Sequence, residues 1–223
     1  MVPAVISFIV CVGIPAAGAV YFLWRRDGTF ATFVVGVLCF LISQPILRIP
    51  LLNLAGQRSS WFMMLPYVNP VLYYLVMGFT AGLFEESARL AGFGIFRRGH
   101  TAWMDGLAYG LGHGGCEAAW IFVLQVLPQV RKGQAGTGML IGAWERIFAV
   151  MIQIGLSFLV LYAVKTGRKR YFILAVVLHA LVDFLIILGN VLIVEGLVAL
   201  EGLAAMILII KFRKKFNLGG IER

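Results

Sequence analysis

The sequence predicts an all-α membrane protein: a polytopic helical bundle of about seven transmembrane helices, with its amino terminus outside and its carboxy terminus cytoplasmic. Three observations predict it. Of 223 residues, 61% are hydrophobic and only 13% charged, which leaves too little polar surface for a soluble domain. The apolar residues fall into runs of about 20, the length that crosses a bilayer as a helix. The basic residues behind the net charge of +9 cluster at the ends of those runs, which is a topology signal and excludes nucleic acid as the expected partner. The runs use up the chain, so residues 1–223 form a single integral membrane domain, placed in the plasma membrane of a bacterial cell. Cys11, Cys39 and Cys116 lie in apolar runs without metal-type spacing and read as packing residues.

The first run, Pro3 to Trp24, ends in Arg25-Arg26 and has no positive charge before it, so it reads as a retained span. The second, Thr29 to Ile49, returns to the outer face. Gly56 to Pro66 is too polar and short to cross; with Trp61 and Tyr67 it suggests an interfacial segment. The third run, about Pro70 to Phe96, carries Glu85-Glu86 and ends in Arg97-Arg98. The fourth, about Thr101 to Leu127, contains HGGCE. A glycine-rich outer loop, Pro128 to Gly138, precedes the fifth run, Met139 to Val164, which holds Glu145-Arg146. Tyr171 to Leu188 contains HALVD, and Asn190 to Ile210 ends in KFRKK. This arrangement puts Arg25, Arg26, Arg97, Arg98, Lys165, Arg168, Lys169, Arg170, Lys211, Arg213, Lys214, Lys215 and Arg223 inside. Only Arg48, Arg58, Arg131 and Lys132 fall outside, as the positive-inside rule requires.

The stretch Leu83 to Leu90, LFEESARL, sets the functional reading. A charge at the centre of a bilayer costs about 2.5–3.5 kcal/mol on insertion scales, so an intramembrane Glu-Glu-x-x-Arg marks a functional site with partners elsewhere. Arg89 follows Glu85 by four residues and Glu86 by three, so it shares a helix face with at least one of them. Counted inward from the cytoplasmic ends at 1.5 Å per residue, Glu85, His113, His179 and Asp183 all lie roughly 12–18 Å deep. One water-containing cavity lined by Glu85, Glu86, His113, His179 and Asp183 accounts for that common level. His113 and His179 each have an acid at i+4, Glu117 and Asp183, which would orient the imidazole or join it at a metal. His100, at an interface, reads as solvated.

Supporting roles fall to Arg89, Glu117, Glu145 and Arg146, with Glu117 and Arg146 expected to pair. Glu195 and Glu201 read as packing or interface residues, Gln153 and Asn190 as weak candidates. Gly112, Gly114 and Gly115 should let helices approach closely. Two carboxylates and two histidines in a semi-dry cavity suit hydrolysis. A Glu would take a proton from water, while His stabilises the oxyanion or binds zinc, for which His113, His179 and Glu86 are the candidate ligands; a metal-free site is the alternative. A transporter relaying protons or cations, or a scaffold binding a membrane partner, could use the same residues.

Glu85-Glu86-x-x-Arg89, GLGHGGCEA (Gly110 to Ala118), WERIFAV (Trp144 to Val150) and LHALVDF (Leu178 to Phe184), in that order, resemble the YhfC-type intramembrane peptidases, distant relatives of the CAAX-prenyl endopeptidases and PrsW proteases. The motif-bearing core is about residues 70–188. The resemblance implies an all-helical membrane hydrolase of glutamic or metallo type acting on a membrane protein or peptide within the bilayer, alone, as a homo-oligomer or with a partner subunit. One Glu of the pair would activate water, supported by Arg89, with His113 in the same site and His179 and Asp183 stabilising the oxyanion or supporting a metal. The chain departs from the CAAX spacing, with two residues between the Glu pair and Arg89. It also has Gln153 where the family often has His.

Overall fold

A computed structural model describes residues 1–218; Arg223 and the side chains of Lys214 and Lys215, counted above as inner charges, lie outside the described set. The described chain is helical throughout its ordered elements. It runs α1 (Val2–Arg25), α2 (Thr29–Arg58), α3 (Ser60–Val68), α4 (Pro70–Phe96), α5 (Trp103–Ile121), α6 (Gly138–Thr166), α7 (Arg170–Phe184) and α8 (Val191–Leu218). Five helices are long and apolar enough to cross a membrane, namely α1, α2, α6, α7 with its following turn to Leu188, and Val191–Lys211 of α8. A sixth arises if α3 and α4, bent by 115° at Asn69, count as one. This is a multi-pass membrane protein.

The bend follows from the sequence. Asn69 accepts a hydrogen bond from the Leu72 N–H at 3.0 Å, and Pro70 takes the first helical position, so a new helix starts where the old one stops. Asn190, read as a weak site candidate, does the same work at α8 by accepting from Ile193 N–H at 3.2 Å.

The element that does not read as a span is α5, and its surroundings explain why. It packs against the first half of α2 on one side and α6 on the other, so protein covers it. Asp105, Gly106, Ala108, Tyr109, Gly110, Gly112, His113, Gly114, Gly115 and Ala118 are all buried. A helix shielded from lipid needs no apolar outer face and can spend its positions on glycines and ionisable groups. Gly112 meets the Phe33 carbonyl and Gly114 the Gln153 side chain, so the expected close approach is present.

A second small-residue contact locks α4 to α7. A methyl on Gly82 would stand 2.6 Å from the Val176 carbonyl oxygen and 3.3 Å from Cβ of His179; on Gly78 it would stand 3.3 Å from Cβ of Asp183. The two glycines, one turn apart, let the Glu pair and the HALVD motif face each other. In α2 the helix widens into a π-helical stretch, Ile42–Arg48, around Pro45. Proline has no N–H to donate, and the widened turn leaves Gln44 buried, facing α4.

Candidate active site

Five helices, α2, α4, α5, α6 and α7, deliver side chains to one place. From α4, Glu85 and Glu86 are adjacent, so they leave the helix about 100° apart and meet different neighbours. Oε2 of Glu85 lies 2.8 Å from Nε2 of His113 on α5 and 3.7 Å from Nε2 of His179 on α7. Its Oε1 accepts a hydrogen bond from the Gln44 amide of α2. Oε1 of Glu86 lies 2.8 Å from Nδ1 of His179. The ring of His179 therefore sits between the two carboxylates, one on each nitrogen.

Arg89 is fully buried and binds α6 at three points. Nη2 donates to Gln153 Oε1 at 2.6 Å, and Nη1 donates to the Gln153 carbonyl at 2.9 Å and to Ser157 Oγ at 3.1 Å. Its Nε stands 3.4 Å from Glu86 Oε2, an ion pair without hydrogen-bonding geometry. Gln153 is thereby oriented. With its oxygen committed to Arg89, its amide nitrogen donates to Glu117 Oε2 at 2.8 Å and to Glu85 Oε2 at 3.3 Å. Arg146 Nη1 binds Glu117 Oε1 at 2.9 Å, and the same guanidinium also binds Glu145. On the other flank, Arg48 Nη1 donates to Gln44 Oε1 at 2.9 Å, while its other nitrogens hold Thr80 and the Met77 carbonyl.

These groups surround a cavity of about 230 Å³. Glu85, His179, Asp183, Glu117, Glu145 and Arg146 line it; Glu86 and His113 stand behind the wall. An acceptor carboxylate, an imidazole and a second carboxylate lining one cavity can bind water, accept its proton and hold a developing negative oxygen.

The family model of the YhfC intramembrane metalloproteases matches residues 8–135 and 129–208. The chain belongs to the YhfC family. It is 30% identical to the uncharacterized membrane protein YhfC of Bacillus subtilis (strain 168), an alignment covering 91% of this chain and 88% of that relative. No solved structure matches.

In this YhfC member the residues singled out from sequence do meet. Glu85 bonds His113, Glu86 bonds His179, and Glu85 stands 3.7 Å from the second ring nitrogen of His179, with Asp183 on the cavity wall beside Glu85 and His179. Glu117 pairs with Arg146 as expected, and Glu145 joins them on that wall. Two details differ from the sequence reading. Neither His takes its i+4 acid as partner: His113 bonds Glu85 and His179 bonds Glu86, the latter across the Gly78 and Gly82 contacts of α4 with α7. Arg48, counted as an outer flanking charge, is instead half-buried in the α2–α4 contact. Sequence reading also passed over Gln44 and Ser157 and ranked Gln153 low. The signal for Gln44 was a polar residue beside a proline inside an apolar run, one turn before an arginine.

For the metal that the family's description implies, donor chemistry and spacing give different answers. Two imidazole Nε2 atoms and a Glu85 oxygen converge, with Glu86 on the far nitrogen of His179, a donor set suited to zinc. Glu86, expected as a ligand, is thus placed as the group behind one. The converging atoms stand at hydrogen-bond separations from one another, and among the described residues no group of three or more His, Cys, Asp or Glu is spaced to hold an ion.

Proposed function

We propose that this YhfC protein is an intramembrane peptidase in which Glu85 activates water for attack on a peptide bond. The observation that carries the reading is the division of the carboxylate pair: Glu85 reaches the cavity, and Glu86 spends its bonds on His179 and Arg89. Glu85 takes a proton from water while the water oxygen bonds to the carbonyl carbon. His179, protonated on both nitrogens with Nδ1–H on Glu86, stands where Nε2–H can donate to the resulting oxyanion. The C–N bond then breaks, and the proton on Glu85 passes to the leaving amine, giving a carboxylate and an amine product. His113 holds Glu85 from behind the cavity wall, and Gln44 holds its other oxygen from within the lining. Asp183 gives the cavity a second acceptor for the water.

We read the topology as seven crossings, with α5 as a protein-sheathed span and the amino terminus outside. Two observations support it: the glycine-rich face that α5 buries against α2 and α6, and the arginine and lysine bias of the loops. The test of function is cleavage of a co-expressed single-span reporter peptide by the protein and by Glu85→Gln, with metal content measured on the same preparation. Cleavage that persists in Glu85→Gln, or a reporter left uncut by the unsubstituted protein, would sink the assignment.

A further inference from the structure

A second cavity, about 440 Å³, lies between α6, α7 and α8. Its walls are almost wholly apolar, and Ile152, Leu156 and Val182 line both it and the carboxylate cavity. Whatever fills the groove therefore abuts the space where water would be activated. Gly155, Ala204 and Ala205 keep part of the wall flat, and Leu178 stands exposed at the rim. Pockets of this size and composition, with one or a few polar groups, are characteristic ligand sites.

One carboxylate interrupts a wall that is otherwise apolar apart from the Tyr162 and Tyr171 phenols. Glu201 Oε2 is buried and has no hydrogen-bond partner among the described residues. A hydrocarbon chain offers that oxygen nothing. A peptide opened for attack has backbone N–H groups released from their helix, and in a bilayer those donors need an acceptor.

We propose that this groove receives the apolar side chains of a membrane-spanning peptide next to the bond to be cut, with Glu201 accepting a hydrogen bond from its unwound backbone. The proposal rests on the peptidase reading above and assigns that site its substrate-docking surface. Lipid is the competing occupant, and the shared wall with the carboxylate cavity favours peptide.

The test separates docking from cleavage. Protein in phosphatidylcholine nanodiscs is illuminated with a leucine-rich single-span peptide carrying benzoylphenylalanine at its centre, and the labelled residues are mapped. Labels should fall on α7 and α8 around Leu178 and Ala205. Ala204→Trp, which fills the groove from an exposed position, should cut labelling about tenfold, the scale on which a pocket discriminates against misfit bulk. Glu201→Leu should weaken it as well, while Glu201→Gln, which keeps an acceptor oxygen, should restore it. Labels elsewhere, no effect of Ala204→Trp, or groove labelling only by a phosphatidylcholine with a diazirine acyl chain would overturn the proposal. A peptide that labels the groove but is never cut leaves the docking surface standing and removes the peptidase reading. One that is cut while labelling elsewhere does the reverse.

Discussion

Nδ1 of His179 stands 2.8 Å from Oε1 of Glu86, which turns the other ring nitrogen towards Glu85 and the cavity. This contact assigns different work to two adjacent carboxylates of the same chemistry. Glu85→Gln keeps the volume and one acceptor but removes the base, so cleavage of a single-span reporter should fall by about 10²–10⁴. Glu86→Gln leaves the base in place and loosens His179, so the loss should be smaller and should appear in kcat with KM little changed. Equal losses in the two variants would contradict the division.

Arg89 is the structural anchor of the same helix. It is fully enclosed and meets Gln153, Ser157 and Glu86. Arg89→Ala strands a buried carboxylate, and removing one partner of a buried pair costs about 3–5 kcal/mol. The detergent-solubilised variant should therefore lose its cooperative thermal transition or show it well below that of the parent. Arg89→Lys keeps the charge but not the planar fork that reaches three acceptors, so it should rescue stability only in part.

Gln44 tests whether a neutral side chain positions the base. Its amide binds Glu85 Oε1, and Arg48 fixes which end of the amide faces inward. Gln44→Leu leaves one carboxylate oxygen buried without a donor, a penalty of about 1–3 kcal/mol that a partly solvated site will soften. Reporter cleavage should drop while the helical circular dichroism signal stays constant, and the pH profile of cleavage should shift because the carboxylate has lost a hydrogen bond to its charged form. An unchanged profile would make Gln44 a packing residue.

The helices and the meeting of Glu85, His113 and His179 were legible in sequence because hydropathy gives spans and helix rise gives depth. Partner choice was not. Spacing of i+4 made Glu117 and Asp183 the natural partners of the two histidines, yet distances within one helix carry no information about what a neighbouring helix presents. The cross-helix partners depend on how closely α4 approaches α7, which Gly78 and Gly82 set, and α5, where Gly92 meets the Tyr109 ring, and no charge pattern announces those glycines. Gln44 and Arg48 were hidden for another reason: a π-helical stretch shifts the face by one residue, so a position read as peripheral turns inward.

Gly82 is then the residue whose enlargement should separate the two halves of the site without removing a functional group. A side chain there must displace the Val176 carbonyl or the Ala180 backbone nitrogen, both part of a hydrogen-bonded helix that cannot give by a few tenths of an ångström locally. Gly82→Leu should force α4 and α7 apart, at an overpacking cost of about 1–3 kcal/mol. The Glu86–His179 bond spans that contact directly, whereas Glu85–His113 joins α4 to α5. Cleavage should fall like that of His179→Ala, and His179→Ala combined with Gly82→Leu should be little worse than either alone. Additive losses would mean that Gly82 acts somewhere other than at His179.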